Sequence, residues 1–267
     1  MSFKHSAMAV FSAGLIGLGV LGLASGDFAL VWQRVPAWVP EREPLAYACA
    51  LVSLACGAGL IWLRTAPYAT TAALLYLFLW WLLLRVPAVI ASPLDSGPWG
   101  GLGENGIMLA GALALHADCG MRMPGLPFLS GTPSIRIARM LLGASLLACG
   151  QFNVHYFADT ANFIPGWIPA HVFWAGLTAA AFIAAGLGIL FSVLARLAAI
   201  LVTGQMMTFT VLIWLVEVIV APERYHWTGL LISWLISSGA WLVAHSYRPM
   251  AVPAFPPAHR QSLSAGR

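Results

Sequence analysis

The phrase Val35-Pro36-Ala37-Trp38-Val39-Pro40 returns as Ile164-Pro165-Gly166-Trp167-Ile168-Pro169, 129 positions later. Each proline fixes its own φ and drives the residue before it into extended geometry, so neither phrase fits inside a helix. Each closes one long apolar run and precedes another. Both read as the same sharp connector between two membrane helices, with its Trp in the headgroup belt.

Working outward, the composition decides the class. The chain is 60% hydrophobic and only 8% charged, and several runs reach the roughly 20 residues that span a bilayer. Eight spans are expected, at 8–31, 45–63, 68–90, 101–116, 135–157, 172–193, 197–220 and 227–246. The fourth is the weakest, being short and carrying Glu104 and Asn105 at its start. The first apolar run, 7–26, is longer than the core of a signal peptide and no small-x-small cleavage site follows it, so an uncleaved first helix is expected. The stretch from Arg248 onward, rich in Pro and small polar residues, reads as disordered.

The match between halves extends beyond the proline phrase. Phe28 pairs with Phe157, Gly57 and Gly59 with Gly186 and Gly188, and Pro93 with Pro222, all at 129; Trp99 and Gly111 pair with Trp227 and Gly239 at 128. The expected fold is all-α: eight transmembrane helices as two tandem four-helix bundles, related by a pseudo-two-fold along the membrane normal. The units fall at 1–120 and 135–247, with a cytoplasmic linker at 121–134 and a tail at 248–267. Gly14, Gly17, Gly19, Gly22 and Gly26 line the first span and allow close helix approach.

Charge sets the orientation. With the N-terminus cytoplasmic, Lys4, Arg64, Arg122, Arg136, Arg139, Arg196, Arg248, Arg260 and Arg267 lie inside, against Arg34, Arg42, Arg85 and Arg224 outside. That bias places both termini in the cytoplasm and both proline phrases on the outer face of an inner membrane. The net charge of +4 is spread over helix ends with no basic stripe, which excludes a nucleic-acid partner. Cys49, Cys56, Cys119 and Cys149 form no C-x-x-C, so no redox or zinc signature is present.

Ionisable groups within the spans are few and expensive, and so mark candidate sites. They are Asp27, Arg85, Glu104, His155 and Glu217, joined by Gln151 and Asn153, all expected in the outer half of the membrane. The inner half is expected to be nearly free of them. One arrangement brings Arg85 to Asp27, Glu104 or Glu217 in a water-accessible outer cavity, with Trp38 and Trp167 shaping its mouth; the other lets each group snorkel separately to the interface. His155, Asp159, His171, Glu217, Glu223 and His226 gather near the same surface, but their spacing demands no metal and none is assigned. The many Trp residues fit an interfacial belt with core packing, while Trp214 and Trp241, well inside their spans, leave room for a flat slot holding a quinone headgroup or lipid. No P-loop, dinucleotide fingerprint, nucleophile elbow or zincin motif is present.

His155-Tyr156-Phe157, then Phe163-Ile164-Pro165-Gly166-Trp167-Ile168-Pro169, then Trp174-Ala175-Gly176 and Gly186-Leu187-Gly188-Ile189-Leu190 together resemble the DoxX-like family of integral membrane proteins. The likeness covers the second half well; the first half carries Gly26-Asp27-Phe28 in place of the His-containing phrase. The resemblance implies a bacterial inner-membrane protein, and a related subunit belongs to an archaeal thiosulfate:quinone oxidoreductase. It carries over no catalytic residue. The function expected from it is a quinone- or lipid-interacting component of a membrane redox system, with other redox subunits as partners and quinone as the cofactor to test. The readings from other classes are a small-solute transporter or permease, to which parallel repeats are suited, and a non-catalytic scaffold of a membrane complex.

Overall fold

The structure, a computed structural model, describes residues 3–30, 32–119 and 126–247. Its long helices are α1 (Phe3–Ser25), α2 (Arg42–Ile61), α3 (Ala66–Ala91), α4 (Ser96–Cys119), α5 (Gly131–His155), α6 (His171–Leu190), α7 (Ala195–Val220) and α8 (Arg224–His245). Among the described residues seven of these, all but α4, are long and apolar enough to cross a bilayer. This is a multi-pass membrane protein. Its outer faces agree, since Leu75, Phe78, Leu79 and Leu83 of α3 and Leu197, Leu201, Ile219 and Val220 of α7 are exposed, a patch that in water would be an aggregation surface and in a bilayer meets lipid tails.

Several expected boundaries move. The first span, expected to run to 31, stops at Ser25, because Gly26 adopts φ +62° and its N–H closes onto the Gly22 carbonyl as a left-handed cap. The linker expected at 121–134 is shorter: a 3₁₀ turn occupies Pro127–Leu129 and α5 begins at Gly131, with Pro133 inside its first turn. The 248–267 tail, the 121–125 part of the linker, and Arg122 lie outside the described residues.

The helix expected as a fourth span at 101–116 is longer, Ser96–Cys119, and its own composition does not qualify it for a bilayer. Packing explains how it tolerates Glu104 and Asn105. α4 is buried along most of its length between α3, α5 and α8, so protein rather than lipid surrounds its polar groups. α8 is its counterpart, packed on α1, α4 and α7. The two cross at Gly111 and Gly239, where a Cβ on Gly111 would stand 2.4 Å from the Gly239 Cα. Neither position has room for a side chain.

Both proline phrases fold alike and lie outside helices. The Val39 N–H donates to the Pro36 carbonyl at 3.2 Å and the Ile168 N–H to the Pro165 carbonyl at 2.9 Å, each closing a turn with the Trp at its third position. The residues that open α2 and α6, Glu41 and Ala170, are both left-handed, at φ 50° and 60°. A π-turn interrupts α3 at Trp81–Arg85 and α7 at Thr210–Leu215. The extra residue in such a turn re-aims the side chains beyond it, and π-turns concentrate at functional sites.

Candidate functional site

The end of the bundle that carries the proline phrases holds a cavity of about 170 Å³ between α4, α5, α6, α7 and α8. Phe152, Phe182, Phe209 and Trp214 give it aromatic walls, and Glu104, Asn153, Cys149 and Ser233 supply its polar atoms. Two glycines make the aromatic placement possible. Trp214, carried inward by the π-turn of α7, lies across Gly229, where a Cβ would meet its ring at 2.0 Å. Phe152 lies across Gly100 in the same way, at 2.7 Å. Trp214 also lies 6.3 Å from the ring of Phe163 and 5.9 Å from that of Tyr225. Phe163 directly precedes the second proline phrase.

Glu104 is the carboxyl-bearing side chain on the cavity wall, and among the described residues no hydrogen bond to its carboxyl is found. Its charge acts on Arg85 and on Cys149 without a contact ion pair. Below it the cavity runs into hydroxyls: Thr210 Oγ1 bonds Ser233 Oγ at 2.8 Å and Ser237 Oγ at 3.0 Å. The cavity can therefore hold a flat apolar ring and offer hydrogen bonds at its edge.

Arg85 lies against a neighbouring face of α4, over the turn before Glu104. Its guanidinium lies across Gly101, 2.6 Å from where a Cβ would stand, and Nη2 donates to the Trp32 carbonyl at 3.0 Å. There Phe28, Trp32, Tyr76 and Trp80 form a cluster of edge-to-face rings. The Tyr76 hydroxyl accepts from Gln33 Nε2 at 2.9 Å and from Ser53 Oγ at 3.0 Å, and donates to the Cys49 carbonyl.

The remaining expected site residues stand apart. Asp27 pairs with Arg42 at 2.9 Å and Arg224 at 3.3 Å, pinning the loop after α1 to the starts of α2 and α8. Burial raises its pKa, but the Phe28 N–H and the two guanidinium groups outweigh that and hold the carboxyl below the usual carboxylate range. Glu217 faces His226 at 3.7 Å, and His226 Nδ1 lies 2.7 Å from the Ala221 carbonyl. His155 is exposed at the end of α5 and packs on the Tyr156 ring, whose hydroxyl donates to Asp95 Oδ1 at 3.0 Å. Trp38 and Trp167 are 81% and 65% exposed at the tips of their turns. So Arg85 and Glu104, on neighbouring faces of α4, act on each other, while Asp27, His155, Glu217 and the two loop Trp residues do not join them.

Sequence reasoning also missed residues. Cys149, Phe152, Phe182, Met206, Phe209 and Ser233 line the cavity and carry no sequence signal beyond apolar periodicity, although Trp214 and Asn153 were legible as an interior aromatic and a polar group within a span. His116 was also missed: it is fully buried in the last part of α4, with Nδ1 3.3 Å from Thr71 Oγ1 and no partner for Nε2 among the described residues. It was hidden because it falls where the fourth span seemed to end. Compared with protein-family models, curated proteins and solved structures, the chain matches none.

Proposed function

We propose that this protein is a quinone-binding component of a membrane redox system, of the DoxX-like type, and that the cavity between Glu104 and Trp214 receives the quinone headgroup. The observation that carries the reading is the match between the size and the lining of that cavity. An apolar cavity of about 150 Å³ accommodates a benzene ring, and this one, at about 170 Å³, adds a carboxyl, an amide and a hydroxyl to aromatic walls. A ring carbonyl can accept from Ser233 or Asn153, and Glu104 is placed to exchange a proton with a ring oxygen. The aromatic faces of Phe152, Phe209 and Trp214 hold a planar ring by dispersion and edge contacts.

The architecture in this reading is eight spans in two four-helix units, with α4 as the fourth span. What supports the repeat is the recurrence of local features at one spacing: the Pro36 and Pro165 turns, the left-handed Glu41 and Ala170, and the π-turns beginning at Trp81 and Thr210, all 129 apart. Gly111 and Gly239, paired at 128, meet each other, as equivalent residues beside a two-fold axis do. With the basic residues cytoplasmic, both termini face inward and the cavity opens toward the outer leaflet of an inner membrane.

The test is to purify the protein into lipid nanodiscs and quantify bound quinone by mass spectrometry. A near-stoichiometric quinone, lost on Ser233→Phe and reduced on Glu104→Gln, is the expected result. An extract holding only bulk lipid in all three samples would count against the reading.

A further inference from the structure

We propose that both four-helix units enclose the same ring-sized space, and that the first unit fills its copy with the chain's own Trp32, leaving one ligand site per chain. The inference rests on the ligand reading above and adds its stoichiometry and the shape class of the ligand.

The first observation is a buried connection. Interhelical segments normally run over the surface, yet between α1 and α2 Trp32 is 2% exposed and Gln33 6%. The segment is tied in from three sides. Arg85 donates to the Trp32 carbonyl, Gln33 Nε2 donates to the Tyr76 hydroxyl, and the Ala29 N–H donates to Gln33 Oε1 at 3.1 Å. The Trp32 indole itself finds no hydrogen-bond partner for Nε1 among the described residues, so it fills the space by shape.

The second observation is that its surroundings correspond to the walls of the open cavity. The two helix pairs meet through equivalent contacts. Gly57 of α2 approaches the Ser12 carbonyl and Ile16 of α1, and Gly186 of α6 approaches the Gly143 carbonyl and Leu147 of α5. That fixes spacings of 131 between α1 and α5 and 129 between α2 and α6. With them, Leu18, Leu21 and Gly22 beside Trp32 correspond to Cys149, Phe152 and Asn153 of the cavity, and Ser53 corresponds to Phe182. Trp80, whose ring meets Trp32 at 6.4 Å, corresponds to Phe209. Arg85 across Gly101 corresponds to Trp214 across Gly229.

The third observation is what differs. The space left around Trp32 is about 10 Å³, room for one water at most, against about 170 Å³ in the second unit. The segment after α5 folds into the short helix Phe157–Asn162, where Ala161 is the buried residue, and it sends no large ring inward. The occupant of the first space thus describes the occupant expected in the second: a planar conjugated ring of benzoquinone or indole size held among aromatic side chains, to which the second space adds the polar groups of Glu104, Asn153 and Ser233.

The experiment is equilibrium binding of duroquinone, a tail-less benzoquinone, to the full chain in nanodiscs. Wild type is expected to bind one ring per chain, Trp32→Gly two, and Ser233→Phe none. A folded Trp32→Gly variant that still binds one, or a wild type that binds two, would overturn the proposal. Should Trp32→Gly not fold, residual binding of one ring by Ser233→Phe would overturn it equally, since the first unit would then be open. The ligand reading fails separately: a wild type that binds no duroquinone, beside a Trp32→Gly variant that binds one indole, would keep Trp32 as the filler and remove quinone as the ligand class.

Discussion

Replacing Gly111 with Ala places a methyl group against the backbone of another helix. Its Cβ would lie 2.4 Å from the Gly239 Cα, 2.9 Å from the Gly239 carbonyl oxygen and 3.0 Å from its carbon. Carbon atoms rest at roughly 3.5–4.0 Å, so α4 and α8 must part by roughly 1.1–1.6 Å at the crossing. Overpacking costs about 1–3 kcal/mol, and the upper figure applies because backbone cannot rotate aside as a side chain can. Removing a helical glycine returns about 1 kcal/mol of propensity, leaving a net loss of about 2 kcal/mol. Gly204 in α7 is the control, having nothing within 4 Å of an added Cβ; there Ala is expected to be neutral or to stabilise by up to about 1 kcal/mol. Reversible unfolding of both variants in mixed micelles measures the difference. A Gly111→Ala protein as stable as Gly204→Ala would refute the close crossing, and with it the placement of α4 and α8 at the centre of the molecule.

Other outcomes follow from the same contacts. Tyr76→Phe leaves Gln33 Nε2 and Ser53 Oγ without their shared buried acceptor, and should destabilise by about 1–3 kcal/mol; chemical unfolding with no measurable change would contradict the network. Because the Asp27 pKa is depressed in the folded state, its contribution is present above the unfolded carboxylate value and is lost as pH falls through the lower folded one. Asp27→Asn should therefore be less stable at pH 7, by about 1 kcal/mol for partly exposed pairs, with the gap constant down to about pH 4 and closing on further acidification; a gap that persists unchanged well below that pH would rule the ion pairs out as its source. Tyr156 has its pKa raised, first by its hydrogen bond to Asp95, so Asp95→Asn should lower the midpoint of a phenolate absorbance titration, and an unmoved midpoint would argue against that bond.

The helices and their connectors were legible because lipid imposes long apolar runs and prolines end them. The proline phrases, the glycines at the α1–α2 approach and the pairing of Gly111 with Gly239 all rest on local chemistry, which a sequence displays directly. The cavity was legible only at Glu104, Asn153 and Trp214, each conspicuous within an apolar span. Phe182 and Ser233 look like any packing residue until five helices are brought together. Asp27 was misleading for a definite reason: the first apolar run extends past Gly26, which hides the left-handed cap that turns Asp27 toward Arg42 and Arg224. Trp32 was hidden by the same extension, and its burial depends on Arg85 and Tyr76, some fifty residues away. The π-turns left no common mark, since Pro87 follows the first and Val216 stands at the matching place after the second.

The central claim is that the cavity under Trp214 is where a planar ring binds, and photolabelling tests it most directly. A diazirine-bearing benzoquinone is irradiated with the full chain in nanodiscs, and the modified residues are mapped by peptide mass spectrometry. Label is expected on residues 149–153 and 229–236, competed by excess duroquinone and abolished by Ser233→Phe. Label confined to the exposed faces of α3 and α7, unaffected by either treatment, would contradict it.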